Sequence, residues 1–420
     1  MKRNLSYDVV VVGGGSAGIA AAIGASKTGA KTILIERNPY LGGQATHSNV
    51  AAYCGFFTNG ENPEQIVGGV GNMVLEKLKE LGQYDGYKLS TAGNAIVVLN
   101  PESTKFSLDE ILAESEVDCL LHSQVIKVTK ENGRIISLDC VDDEGQFTIE
   151  GKSFVDATGD ANLAHLSEIE TIFGDGKGNS QAATLMMRID HVGKDVDFSP
   201  SSIKAAINAA KEGGIKYLTK ETGIVIRKDL ETDYVFAILP SINIDSLDAE
   251  TLTSAEMNVR RQAQSYIKAF RKYLPGMENC TLVQTGPKLG IRESRRIIGE
   301  YTLTKEDVIQ GMKSDDAIGR GAWPIEKHTN VNKMAEYMYM EDGDYYDIPI
   351  GVLKPRNSNN LWCGGRTISA DSVAFASVRV MGIGFATGHA AGVSAAMTMD
   401  KDAYDVKEIQ AELRRQGAII

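Results

Sequence analysis

The chain has 420 residues and a formal net charge of −11, from 44 Lys and Arg against 55 Asp and Glu. Hydrophobic residues make up 43% and charged residues 24%, globular values that exclude a disordered or fibrous chain. The acidic balance opposes attraction to phosphate backbones, so nucleic acid is not an expected partner.

Residues 7–12, Tyr-Asp-Val-Val-Val-Val, are predicted as a strand buried on both faces, and Gly13-Gly14-Gly15 follows at once. Residues 16–28 turn to Ala, Ile and Lys and read as a helix suited to close packing, stopped by Gly29. A second strand at 31–35 ends at Glu36, which completes a strand–turn–helix–strand unit of the length a right-handed crossover needs. Apolar spacing predicts a helix over 66–81 and a shorter one over 108–115. Strands are expected over 120–128, 135–141 and 147–154, around Asn132-Gly133 and Glu144-Gly145 turns. From about 165 to 345 the texture changes, with strands at 183–189 and 234–239, a long amphipathic helix at 255–273 and loops rich in Lys and Asp. A strand and turn at 360–366 and an Ala/Gly-rich helix from Gly382 then restore the first pattern. The expected fold is α/β: a discontinuous Rossmann-like domain of residues 1–165 and 346–420, with an inserted α+β substrate or cap domain of residues 166–345.

Gly13-x-Gly15-x-x-Gly18, framed by two strands and a helix, is the dinucleotide fingerprint in its required context. The first glycine permits the tight turn, the second lets the backbone approach a pyrophosphate, and the third lets helix and strand pack closely. Glu36, 21 residues after Gly15, stands where a carboxylate accepts from a ribose hydroxyl. Glycine is 43 of 420 residues, above the usual share of roughly 7%, in keeping with close backbone approach to such a ligand. No second fingerprint follows: Gly69-x-Gly71 lacks the third glycine, and Gly174-x-Gly176-x-Gly178 lies in a polar loop. A pyridine-nucleotide domain is therefore not expected, and electrons must pass to an external acceptor or come from an external donor. Cys54, Cys119, Cys140, Cys280 and Cys363 form no CxxC pair, and the six histidines have no partners at ligand spacing, so no metal is expected. No apolar stretch is long enough to span a membrane and no signal-peptide core is visible, so the expected location is the cytoplasm.

The sequence after the fingerprint, Glu36-Arg37-Asn38-Pro39-Tyr40-Leu41-Gly42-Gly43-Gln44-Ala45-Thr46, resembles the acid-then-GG signature of FAD-binding proteins of the glutathione-reductase structural class. Residues 155–160 resemble that class's later ATG motif, and residues 361–392 its C-terminal flavin-contacting strand and helix. The runs 290–296, 299–301, 315–318 and 377–381 resemble the bacterial family called FAD-dependent oxidoreductases, relatives of the flavoprotein subunits of fumarate reductase and heterodisulfide reductase. The resemblance runs from about residue 6 to the C-terminus. It implies FAD as cofactor and oxidation or reduction of a small organic substrate by hydride transfer to or from flavin N5. The flavin-binding residues it implies begin with Gly13, Gly15, Ser16, Ala17, Gly18, Glu36 and Arg37. Gly42, Gly43, Gln44, Thr46 and Val125 follow, then Ala157, Thr158, Gly159 and Asp160. The C-terminal part contributes Gly365, Arg366, Gly382, Ile383 and Gly384; many relatives have Gly-Asp where this chain has Gly365-Arg366. The alternative is a flavin-containing electron-transfer subunit that docks with an iron–sulfur partner protein; either form is compatible with an oligomer.

His47, Arg292 and Arg379 are the candidate catalytic residues. A stretch similar to that around His47 carries a flavin-bonded histidine in fumarate reductase, although the spacing to Val50-Ala51-Ala52 is one residue longer here. Covalent attachment, acid/base work and a structural role are the readings open for His47. Arg292 follows the apolar Leu289-Gly290-Ile291 approach, and its planar fork suits a carboxylate or enolate oxygen of a substrate. Arg295 and Arg296 read instead as a solvated helix face. Arg379 precedes the Gly382 helix, where it suits flavin, substrate or an ion pair.

Overall fold

The computed structural model describes residues 3–90, 92–227, 233–401 and 403–420. It opens with β1 (Asn4–Val12), α1 (Ser16–Lys27) and β2 (Thr32–Ile35), followed by α2 (Val70–Glu80) and α3 (Pro101–Ala113). β3 (Val117–Leu120), β4 (Gln124–Glu131), β5 (Arg134–Asp142) and β6 (Gly145–Asp156) complete the N-terminal half of a seven-stranded sheet. β1 lies at its centre, parallel to β2 with Val9 opposite Thr32 and to β6 with Val9 opposite Ser153; β3 runs parallel to β2 on the far side. Val9, Val10 and Val11 are fully buried, as a strand covered on both faces requires.

The cap follows: β7 (Ala183–Asp190), α4 (Pro200–Glu212), β8 (Ile224–Ile226), β9 (Val235–Ile242), α5 (Ala249–Tyr273) and β10 (Thr281–Thr285). Its strands form an antiparallel sheet in the order β8-β9-β7-β10. Alternation along β7 turns Ala183, Leu185, Met187 and Ile189 into a core with Val259, Tyr266 and Phe270 of α5. The opposite face presents Met186 with Phe236, which cluster with Ala51 of the other domain. The chain then returns: β11 (Leu361–Cys363) pairs in parallel with the end of β6, Cys363 opposite Asp156, and α6 (Met381–Met397) packs on α1. That packing explains the Ala/Gly composition of both helices. A Cβ on Gly388 would stand 2.1 Å from the Ala17 carbonyl oxygen, and one on Gly392 1.9 Å from that of Ala21.

Packing draws the cap more narrowly than the expected insertion of 166–345. The cap core runs from Ala183 to Leu289, whereas Leu303, Val308, Ile318, Trp323 and Met340 join the core built around β1, α1 and α6. Three local expectations also change. The run 120–128 is two strands rather than one, because His122 adopts φ 54° and the chain turns between β3 and β4. The helix expected over 108–115 starts at Pro101, where the Asn100 side chain accepts from the N–H groups of Glu102 and Ser103. Residues 292–296 are not a solvated helix: Arg295–Ile297 is a strand paired with Thr171–Phe173, and Arg296 is buried beside Glu293 at 3.3 Å. No helix among the described residues is long and apolar enough to cross a membrane.

Candidate functional site

The parallel strands end on one side of the sheet, and a cleft of about 510 Å³ opens there. Gly13 leaves β1 at φ 103°, its N–H bonded to the Ile35 carbonyl at 2.8 Å. A Cβ here would stand 2.5 Å from the Ala157 carbonyl oxygen, so the turn accepts only glycine. Gly18 lies behind the cleft, where a Cβ would collide with the Gly13 carbonyl oxygen at 1.7 Å, so it serves helix–strand packing. α1 starts at Ser16 with no side-chain cap, leaving its first N–H groups open toward the cleft, and the Ser16 Oγ is buried without a partner among the described residues. Gly43 (φ 55°) faces the same turn so closely that a Cβ on it would lie 2.8 Å from Gly15 Cα.

Glu36 holds this turn as well as facing the cleft. Its Oε2 accepts the Gly14 N–H at 2.7 Å, and its Oε1 accepts the Asn38 backbone N–H at 2.8 Å and the Asn38 side-chain amide. A carboxylate offers about four lone-pair sites, so one on Oε2 remains for a ligand hydroxyl. Arg37, Gln44 and Val125 line the cleft beside it. On the far wall, buried Asp156 at the end of β6 fixes the ATG loop. It accepts from the Thr158 N–H at 3.0 Å, the Thr158 hydroxyl at 2.7 Å and the Ala164 N–H at 2.9 Å. Ala157, Thr158, Gly159 and Asp160 all line the cleft, as do Gly365, Arg366 and Gly384. Arg366 pairs with Asp160 at 3.5 Å, and its Nη1 has no partner among the described residues.

Other expected contacts are supports rather than walls. The Thr46 hydroxyl donates to the Leu41 carbonyl at 2.6 Å and closes the Gly42 turn. Gly382 packs on the backbone of Cys54 and Gly55, and Ile383 is in the core. Only Gly384 of the α6 glycines faces open space, with the uncapped start of α6 beside it. The glycine cradle, two uncapped helix starts and the orphaned Ser16 and Arg366 atoms fit a bound dinucleotide.

A second cavity of about 330 Å³ continues from the cleft; Gln44, Ser48, Ile291, Arg366, Arg379 and Met381 line both. Its walls are Ala51, Ile96 and Val98 on one side and the open face of the cap sheet on the other. Glu326 is its hub, on a hairpin whose register sets it directly opposite Tyr337. Its Oε1 accepts from the Tyr337 hydroxyl at 3.0 Å and lies 3.2 Å from His328 Nε2, while Oε2 accepts from Trp323 Nε1 at 3.1 Å. Arg379 donates to the Glu326 backbone carbonyl at 3.1 Å and lies 3.6 Å from the carboxylate. Burial works against the Glu326 charge, but the His328 bond and the charges of Arg379 and Arg292 overcome it and keep the carboxyl well below the usual range. Burial holds His328 down to about 3, hence neutral.

The three catalytic candidates are thus divided between the cavities. His47 lines the cleft only, stacked on Tyr40 with centroids 4.5 Å apart, its Nε2 buried with no partner among the described residues. Burial, against the pull of Glu36, lowers it to about 4. Arg292 lines the second cavity only, and Arg379 stands at the junction of the two. Lys220, Glu326, His328 and Tyr337 also line the second cavity and carry no sequence motif. The one usable signal was Glu326-x-His328, whose spacing of two places both on one face of a strand.

A family model described as FAD dependent oxidoreductase matches residues 8–415. Fumarate reductase (cytochrome) of Shewanella frigidimarina is 63% identical over 40 residues, 10% of this chain and 7% of that protein. Digeranylgeranylglycerophospholipid reductase of Thermoplasma acidophilum is 29% identical over 144 residues, 31% of this chain and 33% of that protein. The chain therefore spans at most a third of these curated relatives' length. Among solved structures, an aromatic hydroxylase from angucycline biosynthesis aligns over 98% of this chain and 65% of its own, with a TM-score of 0.52 at 10% identity, a likeness of fold.

Proposed function

The chain belongs to the FAD-dependent oxidoreductase family, and on that footing we propose that it oxidises or reduces a small organic molecule by hydride transfer at the flavin, with the second cavity holding that molecule. When bound, FAD supplies two-electron chemistry at N5, taking a hydride from a substrate C–H or returning one. In this reading the turn at 13–17 and the start of α1 meet the pyrophosphate, and the free lone pair of Glu36 accepts from the ribose. The uncapped N–H groups at the start of α6 are available to negative charge on the ring. Arg292 holds an anionic oxygen of the substrate, and Arg379, tied to Glu326, fixes the wall beside it. Electrons leave to an external acceptor or arrive from an external donor.

One observation carries this reading: a largely apolar cavity opens directly from the dinucleotide cleft and contains a guanidinium, that of Arg292, with no carboxylate within ion-pair distance among the described residues. Anaerobic photometric screening of the FAD-loaded protein against organic acids, alcohols and amines tests it. Bleaching by an organic compound supports the proposal. Bleaching only by a ferredoxin-type protein that co-elutes on gel filtration would overturn it in favour of an electron-transfer subunit.

A further inference from the structure

We propose that the second cavity takes an apolar monocarboxylate, its carboxylate held between Lys220 and Arg292 and its hydrocarbon body lying on the open face of the cap sheet; this rests on reading the cavity as the substrate site. Lys220 stands in the segment between α4 and β8 and is only 3% exposed. Its backbone is clamped to α5, the N–H donating to the Tyr266 hydroxyl at 2.7 Å and the carbonyl accepting from it at 3.1 Å. Its ammonium forms no hydrogen bond or ion pair among the described residues, although it lines the cavity. Arg292 spends Nη1 on the Ala182 carbonyl at 2.6 Å, and its Nε–Nη2 edge has no acceptor among the described residues. That edge is the face on which a guanidinium receives a carboxylate with two parallel bonds.

Most of the cavity's other charges have partners; Arg227, which also lines it, is held by the Gly193 and Lys194 carbonyls. Arg366 has Asp160, Arg379 has Glu326, and Glu326 is filled by His328, Tyr337 and Trp323. Buried cations need a counter-charge, and neither Lys220 nor Arg292 has an ion pair among the described residues. Met186, Ile226 and Ile238 of the cap sheet give the hydrocarbon body an apolar wall.

Protonation reports the site. Burial and the neighbouring Arg292 lower Lys220 to about 7, against the pull of Glu326. The other groups facing it from the surrounding elements keep one charge state near neutral pH. Burial keeps His328 neutral, and it pushes the Tyr337 hydroxyl and the Cys54 thiol up so that both also stay neutral. Glu326 stays ionised, a guanidinium such as those of Arg227, Arg292, Arg366 and Arg379 is a cation by its chemistry, and Lys88 lines the same cavity. An arriving carboxylate therefore favours the charged Lys220 and draws a proton onto it above about pH 7.

Calorimetric titration of the FAD-loaded protein with hexanoate and with neutral hexanamide, at about pH 6.5 and 8.5, is the test. Hexanoate should bind at least about tenfold more tightly than hexanamide, and its affinity should fall about tenfold between the two pH values. Buffers of different ionisation enthalpy should report uptake of nearly one proton at the higher pH, which needs no variant. Lys220→Met, checked for flavin content, should abolish both the uptake and the pH dependence. Failure of hexanoate to bind, equal affinity for the amide, or binding without proton uptake overturns the proposal. Binding with uptake but with no change in the flavin spectrum keeps the anion site and overturns the reading of the cavity as the substrate site.

Discussion

Glu36 does two jobs with one carboxylate, and its substitution separates the site from the scaffold. Glu36→Ala removes the acceptor for a ribose hydroxyl and also releases the Gly14 and Asn38 N–H groups. The lost charge-assisted bond is worth about 1.5–3 kcal/mol, so FAD should dissociate about 10-fold to 150-fold more readily, as read by equilibrium dialysis with HPLC of the released flavin. Unchanged retention would remove Glu36 from the cofactor site. This residue was legible because the fingerprint fixes its distance along the chain. Lys220 and Glu326 were not: Lys220 meets Arg292 and Glu326 from separate segments, so nothing local marks it. Arg296 was misread for a related reason, since a run of charges looks solvated until strand pairing buries it against Ala370 and Glu293.

At the scale of elements, the glycines of α6 divide by what they face. A Cβ on Gly384 would touch nothing nearer than Ser16 Cβ at 3.8 Å, whereas one on Gly388 would enter the Ala17 backbone. Gly384→Val should therefore fold with near wild-type stability and bind FAD poorly. Gly388→Ala should lose about 1–3 kcal/mol through forced separation of α1 and α6. Urea unfolding and flavin titration of both variants check the contrast; equal loss of stability would place Gly384 in the packing seam. The crossover unit of β1, α1 and β2 was legible because a β-branched run, three glycines and an Ala-rich helix all agree. The turn between β3 and β4 was not, because Leu120-Leu121-His122-Ser123-Gln124-Val125 holds no Gly or Pro that demands a break. The start of α3 was not read either, although Asn100 and Pro101 hold the cap and first helical positions in the structure.

Over the whole molecule, the histidines buried without charge link stability to pH. His389 of α6, with its Nε2 2.8 Å from the Gln416 side-chain oxygen, is lowered to about 4 by burial, against the opposing pull of that bond, as His47 is. Their folded values lie below the unfolded value of about 6.5, so the unfolded chain binds more protons between pH 6.5 and 4. Stability should be complete above pH 6.5 and fall by about 1.4 kcal/mol per pH unit for each histidine as pH drops toward 4. His389→Gln should remove one such share from the slope of urea midpoints between about pH 6.5 and 5; an unchanged slope would contradict the assignment. The two cavities join at Arg379, and in the proposed reading the substrate held by Arg292 in the second cavity meets the flavin across that junction. Anaerobic stopped-flow reduction of wild type and Arg292→Lys by the compound that bleaches the flavin tests that claim most directly. Lysine keeps the charge and loses the fork, so flavin content should be unchanged while reduction slows about 10²–10³-fold. Reduction of the variant at the wild-type rate would contradict the account.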